Sequence, residues 1–150
     1  MKLGEFFPDH LREELAIFNL QIGSVIRVAV KDTTPPKIKR LIIVGVSIDK
    51  ISLATVFINT EINVNVISSL ELKDLQFPFP AVNREYLDHD SFVDCSRLIE
   101  RNFDELKAIF KSYASASIGQ ISENDLKNIK AKIKSARTIS VRIKKKFNLY

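Results

Sequence analysis

A chain of 150 residues with 45% hydrophobic and 27% charged side chains has the size and composition of one self-supporting domain, and its composition does not suggest disorder. A single cysteine, Cys95, excludes an intramolecular disulfide, and the longest apolar run, Leu41–Val46, is too short to span a bilayer. The net charge of +5 is unevenly placed: from Leu126 onward there are nine cations (Lys127, Lys130, Lys132, Lys134, Arg137, Arg142 and Lys144–Lys146) and no acidic side chain, which favours a polyanionic partner, either nucleic acid or an acidic protein segment.

Glu5, Asp9, Glu13 and Glu14 interrupt the N-terminal region, so no secretory leader is expected there, and a cytoplasmic location follows as the expectation. Pro8, the helical spacing of Leu11, Leu15 and Phe18, and Gly23 predict a helix over residues 9–19. Val25–Lys31, Leu41–Ile48 and Ile51–Ile58 are β-branched runs that read as strands, with Ile62–Ile67 as a fourth. The adjacent Pro35 and Pro36 mark Lys31–Lys37 as a polar loop, because two prolines cannot sit in a central strand. Asp49-Lys50 joins the second and third runs tightly enough that only an antiparallel hairpin fits.

Over Ser68–Tyr86, Pro78 and Pro80 alternate with Phe77 and Phe79, which predicts an extended loop whose aromatic rings pack onto the strands. Ser91–Cys95 reads as one more short strand. Asn102 is placed to cap a helix over Asp104–Ser112, with Glu105 at the reciprocal capping position. Ser122 caps a second helix whose buried stripe is Leu126, Ile129, Ile133 and Ala136, and the Lys144–Lys146 run is expected to fray. Short consecutive strands with tight connections predict a small antiparallel barrel rather than a βαβ sheet. The expected architecture is therefore mainly β with appended helices (α+β), in one domain over residues 1–150. It has an N-terminal helix over 1–21, a core over 22–136 that includes two C-terminal helices, and a basic tail over 137–150.

Chemistry is narrowed by what is missing from the sequence. His10 and His89 lie far apart with no cysteine or histidine at zinc spacing, and the three adjacent residues Asp88-His89-Asp90 do not converge on one ion without special geometry. No glycine-rich phosphate loop and no G-x-S-x-G elbow occurs, and Cys95 reads as a buried structural thiol, so neither a metal nor a cofactor is expected. Cutting RNA asks for less. The ribose 2′-hydroxyl attacks its own phosphate, so one group must remove a proton, one must supply a proton, and something must stabilise added negative charge. A carboxylate, an arginine and a hydroxyl converging on one groove suffice in principle.

Several segments, in order, resemble the MazF/PemK family of toxins from toxin–antitoxin modules. Ile22-Gly23-Ser24-Val25-Ile26 is similar to that family's first strand, and Lys39-Arg40-Leu41-Ile42-Ile43-Val44 to its second. Ile58-Asn59-Thr60 resembles the end of its third, and Val93-Asp94-Cys95-Ser96-Arg97-Leu98-Ile99-Glu100 its acid–Gln segment. Ile118-Gly119-Gln120-Ile121-Ser122-Glu123-Asn124-Asp125-Leu126 resembles its closing turn and terminal helix. The resemblance implies an SH3-like barrel, a homodimer, single-stranded RNA as substrate, and an antitoxin that occupies the RNA groove. It implies Arg40, Thr60 and Asp94 as catalytic residues, with Lys37, Lys39, Asn59 and Arg97 contacting RNA. Leu41, Ile58 and Cys95 stand where the family usually has two prolines and a glutamine. That departure keeps open an alternative, a barrel that binds RNA or a protein partner without cutting. The catalytic expectation rests on one spatial condition: Arg40, Thr60 and Asp94 must face one another across a shared trough, within one chain or with a neighbouring subunit restoring the meeting.

Overall fold

Successive β-branched runs joined by short turns satisfy their backbone groups by pairing with one another, and all the pairings seen here are antiparallel. The computed structural model describes residues 8–30, 37–62 and 69–150. In chain order the elements are α1 (Asp9–Asn19), β1 (Ser24–Val30), β2 (Lys37–Val46), β3 (Ser52–Asn59), α2 (Leu70–Asp74), β4 (Gln76–Phe79), β5 (Ser91–Asp94), β6 (Ile99–Asn102), α3 (Phe103–Ser112), β7 (Ser117–Gln120), α4 (Glu123–Ser135) and α5 (Val141–Lys146).

The strands form one sheet in the order β4-β5-β3-β2-β1-β7, with β6 also paired to β3. One edge of β3 serves two partners: its first half, Ser52–Thr55, pairs with β6, and Ile58 and Asn59 pair with β5. Register shifts at Val25/Ile26 and Ile43/Gly45 are bulges that bend the sheet, which is curled into a half-barrel. The expected β2–β3 hairpin is present. Asp49 Oδ1 accepts from the Ile51 amide at 3.0 Å, and Lys50 takes the left-handed conformation at φ 61° that closes the turn.

Side chains alternate across a strand, and both faces of this sheet are apolar. Val25, Ile42, Val44, Val56, Ile58 and Val93 point one way and pack with Ile129, Ile133, Phe147 and Leu149 of the α4–α5 region. Ile26, Val28, Leu41, Ile43, Leu53 and Phe57 point the other way and pack with Ala16, Leu20, Leu106 and Phe110 of the α1 and α3 regions. The fold is thus a mixed α and antiparallel β structure with an apolar layer on each face of the sheet. This agrees with the expected α+β class of antiparallel strands with appended helices.

Residues 9–19 are helical as expected. Asn102 Oδ1 accepts from the Glu105 amide at 3.1 Å, and Ser122 Oγ accepts from the Asp125 amide at 3.1 Å, so both expected caps are made. The stripe Ile129, Ile133 and Ala136 is buried, with Leu126 partly so. Four readings change. Within Ser68–Tyr86 the chain forms α2, capped by Ser69, and the edge strand β4, where Pro78 is tolerated because an edge has one unpaired side. Ile99–Asn102 and Ser117–Gln120 are strands that the sequence did not announce.

The Lys144–Lys146 run lies inside α5 and is not frayed. The Lys144 ammonium is buried and donates to the carbonyls of Lys134 at 2.9 Å and Ala136 at 2.7 Å, at the C-terminal end of α4. Finally, 137–150 is not an appended tail, since Ile139, Phe147 and Leu149 belong to the same core as Ile42 and Val44. The 31–36 part of the expected loop and the 63–67 part of the expected Ile62–Ile67 strand lie outside the described residues. No helix among the described residues is long and apolar enough to cross a membrane.

Candidate nucleic-acid interface

Antiparallel partners share a face, so the register assigns each candidate residue to a side of the sheet. Val28 pairs with Lys39, Asn59 pairs with Phe92, and Phe92 pairs with Pro78. The Lys39 ammonium donates to Asn59 Oδ1 at 2.8 Å, which links the two halves of this row across β2 and β3. Because Val28, Leu41 and Phe57 belong to the core under α1 and α3, the row Val28–Lys39–Asn59–Phe92 lies on that face.

The Phe57 ring, one step inward, is covered by cations: Lys39 Nζ lies 5.6 Å and Arg97 Cζ 5.0 Å from its centroid. Lys37, two residues before Lys39 on β2, falls on the same face. Burial, and then the nearby charges of Lys37 and Arg97, hold the Lys39 ammonium below its usual pKa of 10.5. Two cations therefore cover one aromatic ring, with the Lys37 charge acting on Lys39 from the same face. Asn59 and the partly exposed Phe92 ring lie beside them in the row.

Asp94 belongs to this neighbourhood, two residues beyond Phe92 on β5. Its carboxylate is only 9% exposed; Oδ1 accepts from Gln76 Nε2 at 2.8 Å and from the Ser96 amide at 3.0 Å, and Oδ2 lies 3.7 Å from Arg97 Nε. A carboxylate engaged this fully holds β4, β5 and the following turn together. Beside it, burial pushes the Cys95 thiol up to about 12, with the Asp94 charge adding to the effect, which disfavours the thiolate.

Arg40 lies elsewhere. It pairs with Arg27 on β1 and with Ile58 on β3, and Ile58 packs in the α4–α5 core, so the Arg40 side chain leaves the opposite face of the sheet. There Nη2 donates to Asp88 Oδ2 at 2.6 Å; the Arg40 side chain is 25% exposed and that of Asp88 71%. The Arg40 Nε is buried without a hydrogen-bond partner among the described residues. Thr60 lies just past the end of β3 and is exposed. The expected meeting of Arg40 with Asp94 is therefore not made within one chain, because neighbouring residues of β2 point to opposite faces and Asp94 shares the face of Lys39.

The structure gathers Lys37, Lys39, Asn59, Arg97 and Asp94, and it sets Arg40 apart with Asp88. Sequence reasoning passed over Phe57, Phe92 and Asp88 as site residues. Alternation marks Phe57 and Asn59 as sharing a face, but nothing local shows that Lys39 and Arg97 join them. Among the described residues, no group of three or more His, Cys, Asp or Glu side chains is arranged to hold a metal ion. Comparison of the chain with protein-family models and with curated proteins returned no match.

Proposed function

We propose that the protein is a cytoplasmic endoribonuclease toxin of the MazF/PemK kind. In this reading the curled sheet is an opened SH3-like barrel that binds single-stranded RNA, works as a homodimer and is neutralised by an antitoxin. The observation that carries the reading is the convergence of Lys39 and Arg97 over Phe57, with Lys39 destabilised as a cation by burial and by the charges of Lys37 and Arg97. Like charges held this close are relieved by a polyanion, and cations beside aromatic and amide groups suit a single strand, whose bases can stack and whose phosphates can pair. Asn59 reads a base edge and Phe92 offers a ring.

Cleavage in this proposal uses the chain's own side chains and solvent. A carboxylate takes the proton of the ribose 2′-hydroxyl, and the oxygen attacks the adjacent phosphorus. The 5′-oxygen then leaves with a proton from solvent or a protein acid, giving a 2′,3′-cyclic phosphate. Arg40 steadies the phosphate oxygens with its fork of donors. Asp88 replaces Asp94 as the base, because Asp88 is exposed and 2.6 Å from Arg40 whereas Asp94 is engaged by Gln76 and Ser96. Thr60 orients the phosphate from the end of β3.

The test is incubation of purified protein with a mixed RNA pool in chelator, followed by mapping of cut ends. Cuts that vanish in Arg40→Ala while binding persists are the expected result. A second reading, a barrel that binds RNA or a protein partner without cutting, is favoured by the separation of Arg40 from Asp94 on opposite faces. Salt-dependent RNA binding with intact RNA after long incubation would select it.

A further inference from the structure

The basic C-terminal region does more than cover the sheet. Seven of its nine cations fall into two sets. Lys132 donates to the Asp74 carbonyl at 2.7 Å, Arg137 makes a two-point pair with Glu71, Lys146 pairs with Glu100, and Lys144 caps α4. Lys127, Lys130 and Lys134 have no acceptor among the described residues. These three recur at spacings of three and four along α4, so they form one stripe on a single side of the helix, away from the buried Ile129 and Ile133.

The stripe is one wall of a groove of about 270 Å3; Asn148, Leu149 and Tyr150 form the other, and no acidic side chain lines it. The second wall is fixed by backbone geometry. Asn148 takes φ 56°, the Asn148 amide donates to the Lys145 carbonyl at 3.2 Å and the Leu149 amide to the Lys144 carbonyl at 2.7 Å. This paired arrangement ends α5 with a left-handed residue. It turns Leu149 into the core and leaves Tyr150 66% exposed, with Lys145 Nζ 5.0 Å from its ring centroid.

We propose that this groove is a second contact for single-stranded RNA, separate from the Lys39–Arg97 patch. Lys127, Lys130 and Lys134 pair with successive phosphates and Tyr150 stacks on a base. The inference rests on the reading of the chain as acting on single-stranded RNA and extends the strand's footprint onto α4 and α5. An exposed aromatic ring beside unpaired cations is the combination that single-strand binding uses, and it favours RNA over an acidic peptide, which gains nothing from a stacking surface.

The test uses the full chain and a long fluorescent oligouridylate methylated at its 2′-oxygens, which cannot be cut by its own hydroxyls. Binding is measured by anisotropy over a series of salt concentrations. The Lys127→Gln, Lys130→Gln, Lys134→Gln triple variant is expected to flatten the slope of log affinity against log salt by about 2, three phosphates at roughly 0.7 each. Tyr150→Ala is expected to weaken binding roughly tenfold, and Tyr150→Phe to restore it.

If the Lys39→Gln, Arg97→Gln variant loses slope while the triple variant matches wild type, the groove is not an RNA contact and the proposed function stands. If wild type binds no oligouridylate at all, both fail. If the groove binds a poly-glutamate peptide and the triple variant's RNA slope is unchanged, the occupant is an acidic protein segment and the RNA proposal is overturned. Circular dichroism of each variant confirms that the substitutions, all on exposed or partly exposed side chains, leave the fold intact.

Discussion

Gly45→Ala tests whether the last helix is part of the fold. A Cβ placed on Gly45 would lie 2.8 Å from the Phe147 Cβ and 3.0 Å from the Phe147 carbonyl oxygen. Neither atom is the end of a flexible side chain, so relief requires α5 to lift from β2 or the strand to bend. Overpacking of this kind costs about 1–3 kcal/mol. For a domain of this size each kcal/mol lowers the melting temperature by roughly 2–4 °C, so a loss of roughly 2–12 °C is expected. Thermal unfolding followed by circular dichroism gives the number, and limited trypsin digestion locates the damage. In wild type, cleavage at Lys144–Lys146 is expected to be slow, because Lys144 is buried and its ammonium is bonded to two α4 carbonyls. In Gly45→Ala the same bonds are expected to open first. An unchanged melting temperature, with these lysines cut quickly in both proteins, would show that α5 does not dock on β2, and the groove beside it would lose its second wall.

Further outcomes follow from the two carboxylates and from Lys39. Asp94→Asn removes one charged acceptor from the Gln76 and Ser96 bonds and is expected to lower stability by about 1–2 kcal/mol in urea unfolding while RNA cutting continues. Asp88→Asn is expected to stop cutting with stability nearly unchanged, since its ion pair is exposed. RNA affinity is expected to fall as pH rises toward 10.5, and to begin falling earlier than for an ordinary lysine. Lys39 must be charged to bind phosphate, and its free-state pKa lies below that value. An affinity flat across this range, read by anisotropy, would remove Lys39 from the RNA contact. Cys95 is expected to resist an aromatic disulfide reagent at pH 8 until the chain unfolds, because its pKa is pushed up to about 12.

What the sequence made legible was local. Asn102 and Ser122 cap helices within three residues of themselves, and Ile129 and Ile133 declare their face by spacing alone. β6 and β7 were hidden because four-residue strands such as Ile99–Asn102 carry little periodicity, and their pairing is with segments distant in the chain. α5 was hidden for a related reason: its lysines look solvated, and the features that seat it, Gly45 against Phe147 and Lys144 on the end of α4, are non-local.

The site divides in the same way. Lys39, Asn59 and Arg97 were named from their segments, and the structure brings them together. Arg40 is one residue from Lys39, and one residue along a strand is a change of face, so its partner could only be assigned once the register of three strands was known. Asp88 then takes the place beside Arg40 that Asp94 had been expected to fill.

The account is tested most directly by following a defined single-stranded RNA in chelator with wild type, Arg40→Ala, and Lys39→Gln combined with Arg97→Gln. Discrete cuts ending in 2′,3′-cyclic phosphate are expected with wild type. Binding without cuts is expected for Arg40→Ala, and weakened binding with loss of the cuts for the double variant. Full-length RNA recovered from folded wild type, with binding unaffected by the loss of Lys39 and Arg97, would contradict it.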